Sequence, residues 1–426
     1  MDFTDCKFLR KIPNVSRIPN LEKVTLDGCE NLVEVHHSVG FLEKLVVLSL
    51  RKCSNLTSFP KSLKIRSLKF LFLSGCSRLK HFPEIECQMK CLDYVDFRDT
   101  GIEELPSSIG NLVRVSYLYL SGCTNLTNLS NSIYQLQDLK YLFLDGCSKV
   151  KFLKKVEDNR QSMPSLVSME EESAISSKVE LLQLLPWTNA SNSNDGFSSI
   201  AFPKLRQLYL GSCALSESIF FRTVDCGSAL NVLDLSGSDI VSLPPCIRRF
   251  VGLKSLTLKN CKQLREILGL PPNVEHVNAS GCVSLAIFLE EFRRSQSGVG
   301  MGFPGNNVQT ESDFLIQCDC PSSLEYLYLS SSSIVSLPTW FNKFVGLKRL
   351  ALNDCKQLRE ISELPPTIGW IDLSNCHELQ ATVGNDLQIR LLSQVRTSLS
   401  HTHTHIYIYI LVSECLGLYV LSLISM

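Results

Sequence analysis

The sequence predicts a solenoid of parallel strands, and three observations lead to this fold class. Leucine accounts for 68 of the 426 residues, well above its ordinary use in globular proteins. A template of Leu-x-x-Leu-x-Leu-x-x-Cys-x-x-Leu recurs every 23 or 24 residues, and eleven of the 18 cysteines occupy its cysteine slot. A period of this length predicts leucine-rich repeats: an α/β solenoid, horseshoe-shaped, with a parallel concave sheet and an irregular or short helical convex side.

Each Leu-x-Leu core is predicted to be a short strand whose leucines point inward, because side chains alternate between the two faces of a strand. A partial repeat at Phe3, Cys6 and Leu9 precedes the first complete one, so we expect Met1 to lie inside a truncated repeat of a longer protein. Thirteen strand starts follow, at Leu21, Leu45, Leu68, Leu92, Val115, Leu139, Leu205, Leu230, Leu253, Val274, Leu324, Leu347 and Ile368.

Prolines occur in the segments that return from one strand to the next. Leu-Pro pairs at Leu105, Leu243 and Leu337 each follow a strand and its turn. Proline ends a strand and fixes its own φ angle, so these segments are predicted to turn sharply on the convex side.

The repeats define the predicted domain organisation. Residues 1–153, 201–289 and 321–382 carry leucine-rich repeats, and residues 324–376 are a near copy of 230–282. A polar insert at 154–200 and a Gly/Ser/Asn-rich insert at 290–320 read as loops. The tail at 383–426 has no template, and we expect it not to form a folded domain.

The cysteines are predicted to be structural. Consecutive members stand about 23 residues apart, which matches neither Cys-x-x-Cys zinc spacing nor a secreted disulfide framework. In the template slot a small side chain packs inward and meets the neighbouring backbone. So many free thiols indicate a reducing compartment.

The residues between the inward leucines lie on the concave face, and aromatic side chains dominate there over five neighbouring strands. Contiguous exposed rings with a few charges are typical of a protein-binding surface, whereas rings that pack on each other would only stabilise the sheet. The candidate binding residues are Phe70, Phe72, Tyr94, Arg98, Tyr117, Tyr119, Tyr141, Phe143 and Tyr209, with a second set at Tyr326, Tyr328 and Trp370. Further charges at the fringe of this face are Asp27, Arg51, Asp145 and Lys259.

Other binding and catalytic chemistry finds little support. Lys+Arg and Asp+Glu number 42 each, so no basic field favours nucleic acid. The Gly-x-Gly-x-x-Gly match at 300–305 lacks the strand and helix that a dinucleotide site needs. No histidine pattern suggests a metal, Cys318 and Cys320 have no histidine nearby, and we expect neither cofactor, metal nor catalytic residue.

The last 21 residues, 406–426, are apolar except for Glu414 and formally meet the length of a membrane span. The preceding His-Thr-His-Thr-His, with the Ile-Tyr-Ile-Tyr-Ile that follows, favours read-through of a dinucleotide repeat over a membrane anchor. Asn-x-Ser/Thr sequons such as those at Asn14 and Asn55 leave one alternative open, a membrane-anchored leucine-rich-repeat receptor. A general protein-interaction scaffold is another.

Several motifs together resemble one family. The segment from Leu105 to Leu112, the Leu-Ser-Gly-Cys at 73–76, and Leu-Arg-Glu-Ile followed by Leu-Pro-Pro are similar to the repeat region of plant intracellular immune receptors. These are nucleotide-binding leucine-rich-repeat disease resistance proteins with an N-terminal Toll/interleukin-receptor domain. The resemblance covers about residues 1 to 380, and the family's NAD-cleaving and nucleotide-binding domains have no counterpart in this sequence.

The resemblance implies a role in plant defence. In that family the repeat region recognises pathogen effectors and holds the nucleotide-binding domain inactive. We therefore expect a recognition region without enzymatic activity, located in the cytoplasm or the nucleus. Its expected partner is a pathogen effector protein or the receptor's own nucleotide-binding domain, and neither nucleic acid nor a membrane.

Overall fold

A single parallel sheet runs through the protein in a computed structural model that describes residues 1–150, 200–213, 224–225, 229–243, 245–267, 269–285, 321–337, 339–361, 363–379 and 410–411. This main sheet has fourteen strands, all parallel and in chain order. The strands are β1 (Lys23–Thr25), β2 (Val47–Ser49), β3 (Phe70–Phe72), β4 (Tyr94–Asp96), β5 (Tyr117–Tyr119), β6 (Tyr141–Phe143), β7 (Gln207–Tyr209), β8 (Val232–Asp234), β9 (Ser255–Thr257), β10 (His276–Asn278), β11 (Tyr326–Tyr328), β12 (Arg349–Ala351), β13 (Trp370–Asp372) and β14 (Ile410–Leu411). All thirteen predicted strand starts lead into one of β1 to β13, so the predicted solenoid is confirmed.

Neighbouring strands pair without any shift in register. Tyr117, Leu118 and Tyr119 of β5 lie opposite the three residues of β6 in order, and the same rule holds along the sheet. The central residue of each strand points into the core, where Leu118 is completely buried. Residues at the same template position therefore form rows that run across the strands.

The predicted inserts do not interrupt these rows. β6 pairs directly with β7 although 63 residues separate Phe143 from Gln207, and β10 pairs directly with β11. The inserts themselves, apart from Ile200, lie outside the described residues, together with most of the predicted tail. β14 is a two-residue strand inside that tail and pairs with β13.

The partial repeat at the N-terminus joins the other edge of the sheet. Asp2 forms a parallel bridge with Thr25, and the Phe3 amide donates to the Thr25 carbonyl oxygen at 2.9 Å. The chain from Asp2 thus continues the strand pattern, as the template at Phe3 and Cys6 predicts.

The return side of the solenoid contains little regular structure in the described residues. Four pairs of two-residue strands form there, such as Lys11–Ile12 with Glu34–Val35. Short 3₁₀ helices provide the remaining turns, at His37–Phe41, Ser107–Asn111, Asn131–Gln135, Pro245–Arg249 and Thr339–Lys343. Three of these follow the predicted Leu-Pro pairs, which confirms an irregular to short helical side.

The template cysteines form a hydrogen-bonded ladder beneath the turn. In ten repeats the thiol donates to a backbone carbonyl oxygen of the preceding repeat, with Sγ to oxygen distances of 3.0 to 3.3 Å. Cys147, for example, is fully buried and donates to Leu120 at 3.1 Å. The described cysteines are free thiols. The structural role that the spacing predicts for them is therefore confirmed.

Hydroxyl groups fill the slot where a repeat lacks cysteine. Thr100 donates to the carbonyl oxygen of Phe97 at 2.8 Å and lies 3.3 Å from the thiol of Cys123. Ser238 and Ser332 occupy the equivalent slots and are buried. A small side chain with one polar hydrogen is thus the shared feature of the slot, although Thr100 and Ser238 donate within their own repeat whereas the cysteines donate to the preceding one.

We predict that replacing a ladder cysteine destabilises the fold while replacing an exposed one does not. Cys147→Ala removes a buried sulfur and its hydrogen bond, so the free energy of unfolding in urea should fall by roughly 1–3 kcal/mol. Cys91 is exposed, and Cys91→Ala is the matched control. Equal unfolding midpoints for the two variants would contradict the ladder's structural role.

We also predict a loss of stability at alkaline pH that depends on the ladder. Burial raises the pKa of the Cys213 thiol to about 12 from its ordinary 9.0. The unfolded chain therefore releases this proton at lower pH than the folded chain, and stability that is present below pH 9 is lost as the pH rises towards 12. Unfolding free energies measured between pH 10 and 12 should fall less steeply for Cys213→Ala, by up to about 1.4 kcal/mol per pH unit for this one thiol. Equal slopes for the two proteins would contradict the shift.

Candidate functional site

The solvent face of the main sheet gathers the predicted binding residues into two groups. The strands β3 to β7 bring eight rings together, and we call this surface the aromatic face; it consists of Phe70, Phe72, Tyr94, Tyr117, Tyr119, Tyr141, Phe143 and Tyr209. Arg98 follows β4 at its edge. Tyr326, Tyr328 and Trp370 lie on β11 and β13, and the strands β8 to β10 separate them from the aromatic face.

The rings of the aromatic face stack on one another across the strands. Tyr117 and Tyr141 are nearly parallel, with ring centroids 4.4 Å apart. Tyr119 stacks on Phe143 at 4.3 Å, and Phe143 stacks on Tyr209 at 4.6 Å. Two ring columns thus follow from the unshifted register, because equal positions on neighbouring parallel strands lie about 4.8 Å apart.

Tyr94 joins the parallel columns to the rings of β3. Its ring is tilted against Tyr117 at 5.5 Å, against Tyr119 at 5.0 Å and against Phe72 at 5.2 Å. Phe70 is the most open ring of the set, with 37% of its surface exposed, and the others are half-buried by their neighbours. The rings do stabilise the sheet by packing on each other, and they still present their edges to solvent.

Two arginines of the chain lie over rings of this face, and each also contacts a carboxylate. Arg51 lies 3.7 Å from the centre of the Phe72 ring and forms an ion pair with Asp27 at 3.3 Å. Arg98 lies 5.1 Å from the Tyr119 ring centre and pairs with Asp96 at 2.7 Å. The hydrogen bond to Asp96 raises the pKa of Arg98 above its ordinary value.

Two more carboxylates lie at the β7 end of the aromatic face. Asp234 is directly opposite Tyr209 in the register, and Asp145 accepts a hydrogen bond from the Gly211 amide at 3.1 Å. Burial, with the nearby charge of Asp234, raises the pKa of Asp145. Asp145 was among the predicted fringe charges. Asp234 was not predicted, although it occupies the same template position as Tyr119.

The second group of rings is smaller and mixed with charge. His276 of β10 stacks on Tyr326 of β11 at 4.3 Å, and Arg349 of β12 lies 5.6 Å from the same ring centre. Sequence reasoning had not singled out His276 or Arg349. Their positions follow from the register once β10 and β11 are known to be neighbours.

A polar cavity of about 430 Å³ lies away from the aromatic face, at the edge where the strands begin. Asp138 is its central carboxylate and forms ion pairs with Lys204 at 2.5 Å and Arg114 at 3.4 Å. These cations hold the pKa of Asp138 below its ordinary value. The remaining lining residues include Lys90, Lys140 and the exposed Cys91, so the cavity is a network of surface ion pairs.

Within the described ranges, no group of three His, Cys, Asp or Glu residues could hold a metal ion, and no helix is long and apolar enough to cross a membrane. The glycine motif at 300–305, the pair Cys318 and Cys320, and the apolar stretch 406–426 apart from Ile410–Leu411 lie outside those ranges.

Comparison with known proteins identifies similar repeats. Residues 28–186 match a family model described as a leucine-rich repeat region. The TMV resistance protein N of Nicotiana glutinosa is 32% identical over 373 residues, which cover 80% of this chain and 32% of that protein. The disease resistance-like protein DSC1 of Arabidopsis thaliana is 33% identical over 287 residues, which cover 65% of this chain and 23% of that protein. The predicted resemblance to the repeats of plant disease resistance proteins is thereby confirmed.

The chain spans about a third or less of the length of these curated relatives. Among solved structures, YopM from Yersinia enterocolitica WA-314 is similar with a TM-score of 0.43 at 18% identity, covering 81% of this chain and 54% of that one.

We predict that the two arginine–aspartate pairs differ in their effect on stability. Both arginine side chains are similarly exposed, at 44% for Arg98 and 41% for Arg51, but the side chain of Asp96 is 1% exposed and that of Asp27 is 25% exposed. Arg98→Ala leaves a buried carboxylate without its cation and its charged hydrogen bonds, and should lower the unfolding free energy by roughly 1–3 kcal/mol. Arg51→Ala should cost about 1 kcal/mol or less. Equal losses in urea unfolding would show that burial of the carboxylate does not decide the difference.

Proposed function

The chain is a leucine-rich-repeat solenoid whose repeats are similar to those of plant disease resistance proteins, and on this premise we propose that its aromatic face is a protein-recognition surface in plant defence. Its partner in this proposal is a pathogen effector protein, or a nucleotide-binding domain of the same receptor that the face holds inactive. The single observation that carries the proposal is the contiguous set of eight ordered rings on five neighbouring strands.

The composition of the face supports binding to a protein. Tyrosine, tryptophan and arginine are enriched among the residues that dominate the energetics of protein interfaces, and a tyrosine ring buries a large area at a small cost in conformational entropy. Stacking already restricts the rings here, so ordering them on binding costs less than it would for free side chains. Solenoids of this kind characteristically use one extended face to bind their partners.

The proposal assigns no catalytic role to the described residues. The cavity around Asp138 consists of ion pairs on a polar edge. The described ladder thiols hydrogen-bond to backbone, which supports a reducing compartment, and a location in the cytoplasm or the nucleus is part of the proposal. A membrane-anchored receptor and a general scaffold stay as alternatives from the sequence.

We predict that removing the ring columns abolishes recognition. Tyr117, Tyr119, Tyr141 and Phe143 are all replaced by Ala in a full-length receptor that carries these repeats, and effector-triggered cell death and resting activity are measured in leaf tissue. Loss of several central rings should weaken binding by well over tenfold. Either the effector response should disappear or the resting activity should rise.

The control replaces four exposed valines outside the main sheet, Val33, Val251, Val283 and Val345, by Ala. This variant should behave like the unmodified receptor. Thermal unfolding of both variants establishes that they fold, and Tyr117→Ala alone serves if the quadruple variant does not. A folded ring variant with unchanged effector response and unchanged resting activity would refute the proposal.

A further inference from the structure

One arrangement of three groups occurs twice on the main sheet. Arg51 combines a ring, Phe72, with a carboxylate, Asp27, and Arg98 combines Tyr119 with Asp96 in the same way. In both places a guanidinium group covers a ring face while a carboxylate on the same surface balances its charge. Each arrangement satisfies the cation–π and charge-assisted contacts that guanidinium favours.

A ring and two carboxylates also lie together around Tyr209, in a different strand order, and the fringe positions that correspond to Arg51 and Arg98 hold other residues. Arg98 stands two residues after Asp96 on its strand, and the residue two after Asp234 is Ser236. Arg51 takes the fringe position on the strand after that of Asp27, and the fringe position on the strand after that of Asp145 is Gly211. The two template positions that hold Arg98 and Arg51 near β2 to β4 thus hold the small residues Ser236 and Gly211 near β7 and β8.

The two carboxylates are hydrogen-bonded but have no cation among the described residues. Asp234 accepts from the Ser236 hydroxyl at 2.5 Å and from its amide at 2.8 Å. Asp145 accepts from the Gly211 amide and, at 3.3 Å, from the Ser121 hydroxyl. Lys259 stands at the fringe of the neighbouring strand, and the described contacts include no ion pair between it and either carboxylate.

The electrostatic environment of this corner agrees with a missing cation. Burial raises the pKa of Asp145, and Asp234 adds to the shift. Burial raises the pKa of Tyr209, and the charges of both aspartates add to that shift. Two half-buried carboxylates next to an aromatic ring attract a positive group. A cationic side chain of a protein that is already bound to this face loses little further entropy when it contacts them.

We propose that the partner completes this arrangement with an arginine side chain, which lies over Tyr209 between Asp145 and Asp234. The inference rests on the proposed function and adds the chemistry of the partner, a protein segment with an arginine next to apolar residues that cover the ring columns. Arginine fits better than lysine, because its planar group stacks on a ring and contacts two carboxylates at once. The chain's own Arg51 and Arg98 show that this sheet accommodates a guanidinium group between a ring and a carboxylate.

The test is a selection of peptides on the intact chain. A phage library of random peptides about twelve residues long is selected on the immobilised 426-residue protein, and enriched peptides are synthesised with each arginine either kept or replaced by citrulline, its neutral isostere. Affinities are measured by fluorescence anisotropy on the unmodified chain, Asp234→Asn and Ser236→Arg. Ser236→Arg supplies the guanidinium from the chain itself, at the position that Arg98 has beside Asp96.

The chain offers a matched control at the other end of the sheet. Asp372 accepts from the Ser374 hydroxyl at 2.6 Å and from its amide at 3.0 Å, as Asp234 does from Ser236, but the residue opposite it on β12 is Ala351 and not a ring. Asp372→Asn should therefore leave peptide binding unchanged.

We expect enriched peptides to contain arginine, and citrulline to weaken their binding to the unmodified chain at least about tenfold. Replacing arginine by citrulline should weaken peptide binding less than about threefold on Asp234→Asn and on Ser236→Arg. Absence of arginine enrichment, or an equal citrulline effect on all three proteins, would overturn the inference.

A further pair of variants separates the inference from the proposed function. If Tyr117→Ala and Phe143→Ala abolish peptide binding but arginine is irrelevant, the aromatic face is a binding surface and only the arginine inference fails. If neither ring substitution affects any selected peptide, the proposed function fails as well.

Discussion

The unshifted register between neighbouring parallel strands is the constraint on which the rest of this structure depends. Because β5 and β6 pair residue by residue, Leu118 lies beside Leu142 in the core while Tyr117 lies beside Tyr141 on the solvent face. The period of 23 or 24 residues returns the chain to the same place in each repeat. Leucines, turn cysteines and exposed rings then become three parallel rows of one lattice.

This constraint links stability to recognition. The leucine row removes apolar surface from water, and the thiol row ties each repeat to the preceding one through hydrogen bonds to backbone carbonyl oxygens. The same spacing brings the rings of Tyr119, Phe143 and Tyr209 into contact, so the face is ordered before any partner arrives. A surface held in this way differs from a flexible loop, because its affinity does not have to offset the cost of ordering it.

The periodic part of the fold could be predicted from the sequence, and the side-chain geometry could not. Thirteen strands were predictable because each repeats the same hydrophobic pattern, and β14 was missed because Ile410–Leu411 has no template around it. Template position also places the rings on one face. It does not indicate that Tyr94 is tilted while Tyr117 and Tyr141 are parallel, or that Arg51 covers Phe72, since these depend on rotamers. The sequence alone does not single out Asp234, because its role depends on its spatial neighbours Tyr209 and Asp145, which lie far from it in the sequence.

The most direct measurement is a crystal structure of the chain with a peptide selected on it. We expect the peptide to lie across β5 to β8, to cover the ring columns, and to place a guanidinium group within about 6 Å of the Tyr209 ring centre, the usual limit for a cation–π contact. A peptide bound on the return side of the solenoid, with the rings from Tyr117 to Tyr209 still bare, would contradict the claim that the register of this sheet builds its recognition surface.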